Sequence, residues 1–327
     1  MHFCFIIEEQ YRHDSMPTIV SNQLLQWGHS VDILVPQDTI TSLSDLPKKR
    51  YDAYVLKTVS DGPGLSLLEA AEAVGIPTIN HSWAIRRVRD KAIAVVMAQA
   101  QNIPMPVTYF VAHPRLLNQV PLEYFPLVVK PTNGSSCRQI HYIDTPSALT
   151  TLDIEATNGT TNGSFWLAQH YEVNNGFDTK IYVAGNNVFA VTKRSPLHPE
   201  IEVEKRPAAV SPALRSLALQ VGRLFGLDIY GLDVVETSKG PIVVDINDFP
   251  SFGNVPEAEK LVARSVIETA QRMKQQFPHE TAPSVPKITH KLPAILLSST
   301  PIQRDCSVPS SMLPPALSAQ EEYIVNR

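Results

Sequence analysis

The chain has 327 residues, 43% hydrophobic and 18% charged, with a net charge of −4. That balance suits a soluble globular protein of two or three domains and argues against a polybasic binder of nucleic acid or membrane surfaces. The cysteines Cys4, Cys137 and Cys306 are widely spaced, and no apolar run has the length of a signal peptide or a membrane span. A reducing, cytoplasmic location is expected.

Residues 1–85 alternate strands and helices. "FCFII", "VDILV" and "DAYVL" read as strands, with helices over Pro17–Trp27 and Leu65–Val74 and a short final strand "PTIN". This order predicts a parallel, doubly wound, Rossmann-like sheet. Residues 84–101 read as one helix, striped by Ile85, Val88, Ala92, Val95 and Val96. "NIPMPVTYFV" turns at two prolines into a strand. "FPLVVKP" is another strand, followed by the small-residue loop "TNGSSCRQ" and the strand "IHYI". A central domain over 86–163 is expected.

From Ser164 the chain becomes strand-rich, with "FWLAQHY", "TKIYVAG" and "VFAVTKRS". A helix follows, with Ser211 as N-cap, Pro212 in its first turn and Gly226 at its end. The strands "YGLDVVE" and "PIVVDIN" and a helix over Ala258–Gln275 complete a third domain, 164–276. Residues 277–327 are rich in Pro and Ser without periodicity and read as a disordered tail.

Two hairpins concentrate chemistry. A three-residue loop Ser238-Lys239-Gly240 would pair Thr237 with Pro241, Val235 with Val243 and Asp233 with Asp245, with Asn247 on the same face. Opposed carboxylates repel, so a cation between them is expected, and Asp, Asp and Asn oxygens suit Mg²⁺. The alternative is that one Asp caps a turn and the other is solvated. In the second hairpin, a turn at Asn186-Asn187 would pair Gly185 with Val188, Tyr182 with Val191 and Lys180 with Lys193. Two ammonium groups facing each other call for a polyanion, unless both are solvated on an edge strand.

Lys130 ends an apolar strand before the loop that carries Ser135, where an ammonium and backbone N–H groups could receive phosphates. Lys91 follows Asp90 in a helix. Each alone also fits a surface lysine. Neither G-x-x-x-x-G-K-[ST] nor G-x-G-x-x-G occurs, so a nucleotide would bind through another architecture.

Over about residues 1–275, the ordered set Asp90-Lys91, "VVKP" with its loop, "AQHY", "GLDVV" and "VDIN" resembles the ATP-grasp superfamily. The resemblance implies an α/β and α+β fold in which the Rossmann-like region 1–85 precedes the two lobes that sandwich ATP. It implies phosphate contacts from Lys91, Lys130 and the Ser135 loop, and adenine-side contacts from Gln169 and Tyr171. Asp233, Asp245 and Asn247 would hold one or two Mg²⁺ ions, with Mn²⁺ as a substitute.

Two branches are similar. RimK-type glutamate ligases share the "AIRRVRDKA…IPMP" segment, and their D-x-R appears here as Asp178-Thr179-Lys180. Inositol 1,3,4-trisphosphate 5/6-kinases share "YDAYVLKTVSD", "AQHYEVNNGFDTKIYVAG" and "TKRS". That likeness places Lys57, Lys180 and Lys193 at the substrate and Ser195 at the nucleotide. Lys180, Lys193 and Arg194 are the candidate catalytic cations. The resemblance implies a RimK-like carboxylate–amine ligase working through an acylphosphate, or a small-molecule kinase. The acceptor would be a small molecule or peptide, with no nucleic-acid or membrane partner.

Overall fold

Phe3, Phe5 and Ile7 alternate with Cys4 and Ile6 along strand β1 (His2–Ile7), and both sets are buried. A parallel strand covered on both faces requires that pattern. In the computed structural model, which describes residues 1–57, 62–132, 140–151, 165–198 and 203–276, β1 is flanked by β2 (Ser30–Leu34) and β3 (Ala53–Lys57). The sheet runs in the order β2-β1-β3-β4, with β4 at Thr78–Ile79, and every pair is parallel as expected. Helix α1 (Ser15–Gln26) packs on the Phe3/Phe5/Ile7 face, and α2 (Pro63–Ala73) on the Cys4/Ile6 face.

The single helix expected over 84–101 is two. Helix α3 (Ser82–Arg89) stops at Asp90, and α4 (Lys91–Ala100) starts after it. Asp90 has extended backbone, and its carboxylate accepts hydrogen bonds from the N–H groups of Ala92 (3.0 Å) and Ile93 (3.2 Å). An N-cap therefore interrupts an unbroken apolar stripe.

A second, antiparallel sheet contains β5 (Thr108–Val111), β6 (Leu127–Pro131), β7 (His141–Ile143) and β8 (Trp166–His170), in the order β5-β8-β6-β7. The third sheet has β9 (Asn174–Ala184), β10 (Asn187–Arg194), β11 (Arg206–Ala208), β12 (Ile229–Thr237) and β13 (Gly240–Asp248), in the order β11-β10-β9-β12-β13. One of its faces packs on α5 (Pro212–Phe225). Ser211 caps α5, and Gly226 ends it in the left-handed conformation.

Even-numbered residues of β9 share the other face. Asp178 lines a cleft, whereas Tyr182 and Ala184 join the core beneath α6 (Ala258–Gln276). That face thus passes from charged to apolar along one strand. Among the described residues no helix is long and apolar enough to cross a membrane. The tail expected over 277–327 and the loop with Ser135 lie outside the described residues.

Candidate active site

Asp233 pairs with Asp245 across β12 and β13, as the hairpin reading requires, but by a different route. The turn pairs Thr237 with Gly240, Val235 with Ile242 and Val234 with Val243. Val244 is then an extra residue, a bulge that restores the Asp233–Asp245 pair. Lys130 Nζ donates to the Val244 carbonyl at 2.8 Å, so the bulge ties the second sheet to the third.

The other hairpin turns two residues' worth of register away from expectation. Ala184 pairs with Asn187, so Gly185 and Asn186 form the turn, and Gly185 takes φ +58°. Lys180 therefore faces Val191, and Lys193 faces Asp178. Because the shift is even, both lysines keep the cleft face. They meet on one carboxylate: Lys180 Nζ lies 2.9 Å from Asp233 Oδ2, and Lys193 Nζ 2.8 Å from Oδ1. Asn247 Nδ2 donates to Oδ2 at 3.3 Å. Lys91 pairs with Asp245.

Burial works against ionising Asp233, but Lys180 and Lys193 outweigh it and hold its carboxyl well below the usual range. Burial likewise opposes ionisation of Asp245, and Lys91 and Lys130 lower its pKa. Asp178 goes the other way: burial raises its pKa, only partly offset by Lys193, 3.8 Å away.

The cleft between the second and third sheets encloses about 890 Å³, its open mouth included. Lys91, Lys130, Gln169, Tyr171, Lys193, Ser195, Asp233 and Asp245 line it, with Val128, Ile140, Leu197 and Val235 as apolar walls. An apolar slot leading to lysines and paired carboxylates can take a flat base at one end and a polyphosphate with its cation at the other. Gln169 is buried and donates to Thr108 Oγ1 at 3.0 Å. The Tyr171 hydroxyl meets His198 Nε2 at 2.7 Å. Asp233 Oδ1 is shut off from solvent and receives no well-aligned hydrogen bond, despite the nearby Lys193. A spare lone pair there, beside Asp245 and Asn247, fits a hard cation such as Mg²⁺.

Lys180 and Asn247 stand behind Asp233 instead of lining the cleft. Arg194 is exposed and, one residue along β10 from Lys193, points from the opposite face. Lys57 is buried elsewhere: it donates to the Phe249 carbonyl and lies 3.4 Å from Asp14.

Sequence reasoning missed Asp178 as a lining group, although its period-two spacing from Lys180 was the signal. Lys205 is exposed and does not line the cleft, but it approaches the loop after β13. The segment after β13 crosses the cleft-side face, where Phe252 stacks on Tyr182 at 5.2 Å and Asn254 donates to the Lys205 carbonyl at 3.2 Å. Lys205 Nζ then lies 2.7 Å from where a Cβ on Gly253 would stand. No ion pair of Lys205 occurs among the described residues.

A parallel sheet followed by two antiparallel sheets around such a cleft defines an ATP-grasp fold. Comparisons with known proteins agree. The D-cycloserine synthetase DcsG superposes with a TM-score of 0.66 at 19% identity, covering 84% of this chain and all of that one. The ATP-grasp ligase PsnB, solved with minimal precursor, Mg and ADP, gives 0.62 at 15% identity, covering 83% and 98%. A probable alpha-L-glutamate ligase of Trichodesmium erythraeum is 27% identical over 218 residues, 64% of this chain and 72% of that protein. Residues 88–273 match the RimK-like ATP-grasp domain, and the chain belongs to that family. With the family goes the enzyme class, an ATP-dependent ligase forming C–N bonds.

Proposed function

We propose that the chain is a cytoplasmic, Mg-ATP-dependent carboxylate–amine ligase that works through an acylphosphate, with a small molecule or peptide as acceptor. The observation that carries this reading is the meeting of Lys91, Lys130 and Lys193 with the opposed Asp233 and Asp245 in one cleft, with Lys180 behind Asp233. The glutamate-ligase relatives support ligation over phosphoryl transfer to a hydroxyl.

In this reading a carboxylate oxygen attacks the γ-phosphorus, and ADP leaves. An amine then attacks the acyl carbon and loses a proton, and phosphate leaves. Lys91 and Lys130 hold the phosphates, while Lys180 and Lys193 neutralise charge on the transferred group. Gln169 and Tyr171 flank the base, with Ser195 beside them. Asp233, Asp245 and Asn247 hold Mg²⁺, which neutralises phosphate charge when bound; Mn²⁺ or a second ion is compatible with the same oxygens. Lys205 over Gly253 receives a carboxylate of the acceptor.

The inositol-phosphate kinase alternative would need Lys57 for a polyphosphate. Its buried position, held by Phe249 and Asp14, supports the ligase instead. Hydroxylamine added with ATP and pooled carboxylate substrates tests the reading: a hydroxamate is expected, and its absence alongside steady ATP turnover would count against an acylphosphate.

A further inference from the structure

The cleft already holds cations where the metal belongs. Lys180 and Lys193 take both oxygens of Asp233, and Lys91 takes Asp245. These side chains are largely buried, at 15%, 23% and 13% exposure for the lysines, so water screens their charges poorly. With Lys130 and the cleft-lining Asp178 and Glu172 included, four ammonium groups face four carboxylates, so the charges balance without a metal.

A bare divalent ion would have to displace ammonium groups from their carboxylates, and would leave a balanced region positive. A metal–nucleoside triphosphate complex is net negative, and its phosphates offer the displaced lysines new partners. We propose that Lys180 and Lys193 make this site selective for the metal–nucleotide complex over the free ion, so that metal enters only with nucleotide. This rests on the metal assignment above and adds an order of binding to it. The lysines act here by occupying Asp233, and each has a further role once its carboxylate is taken by metal.

The test is Mn²⁺ binding to the full chain, followed by electron paramagnetic resonance, with and without a non-hydrolysable ATP analogue. The wild type should bind Mn²⁺ at least about a hundredfold more tightly with the analogue. Without it, Lys180→Met and Lys193→Met should each bind free Mn²⁺ about tenfold more tightly than the wild type. Lys180→Gln and Lys193→Gln serve where a methionine variant fails to fold. Equal wild-type affinity with and without the analogue would overturn the proposal. So would folded variants that bind free Mn²⁺ no better than the wild type. No binding even with the analogue would overturn the metal assignment itself, and the proposal with it.

Discussion

Asp233 stands directly across the β12–β13 ladder from Asp245, and the bulge at Val244 sets that pairing. Like charges so placed persist only with cations between or beside them. Asp245→Asn should therefore lower metal-nucleotide-dependent turnover by at least about a hundredfold. Removing one of two opposed carboxylates also frees Lys91 from its partner, so the two effects on stability offset. Thermal unfolding should shift little, and unchanged turnover at limiting Mg²⁺ would contradict the assignment.

Asp90 is a structural device with a functional consequence. Its carboxylate starts α4 and so fixes Lys91 in the helix's first turn, aimed at Asp245. Asp90→Ala should cost about 1 kcal/mol of stability. It should also raise the KM for ATP, whereas Asp90→Ser, another capping residue, should restore both. Denaturant titration and steady-state kinetics read the pair.

Glu72 joins α2 to the start of α3. It accepts hydrogen bonds from Ser82 N–H at 2.8 Å and Thr78 Oγ1 at 3.2 Å, and lies 3.0 Å from His81 Nδ1. Burial pushes its carboxyl up, but the bonds from His81 and Ser82 outweigh burial and hold it at about 2, below the ordinary 4.5. A depressed folded pKa gives stability that is complete above the unfolded value and is lost as pH falls towards the folded one. Glu72→Gln should thus be less stable than wild type at pH 7, by on the order of 2 kcal/mol after solvent screening. The difference should shrink between pH 4.5 and about 2. A difference independent of pH would point to lost packing instead.

Much of this was legible in the sequence because strands repeat every two residues. The Lys180/Lys193 register was displaced by two, yet the face assignment survived, since only an odd shift exchanges faces. The turn itself was misplaced because Gly185 and Asn187 both tolerate positive φ, and the glycine was chosen. Asp90 was hidden by the apolar periodicity on either side of it. Lys205 was invisible, because only the loop crossing the sheet brings it to Gly253, some fifty residues along the chain.

Lys205 gives a prediction of its own. With its ammonium over a glycine backbone, Lys205→Ala should raise the KM for a carboxylate-bearing acceptor about ten- to a hundredfold. Nucleotide affinity should hold. Gly253→Ala should have a smaller effect, because the added Cβ would stand 2.7 Å from Lys205 Nζ, the end of an exposed, flexible side chain that can move aside. Acceptor kinetics unaffected by Lys205→Ala would rule out that role for Lys205.

The central claim is that ATP drives formation of a C–N bond. It is tested most directly by incubating the protein with Mg-ATP and pooled amino acids, peptides and inositol phosphates, and weighing the products by mass spectrometry. The account predicts a product equal in mass to a carboxylate and an amine less one water, with ADP and inorganic phosphate released in equal amounts. A product heavier than one substrate by a phosphoryl group, with ADP but no free phosphate, would contradict it.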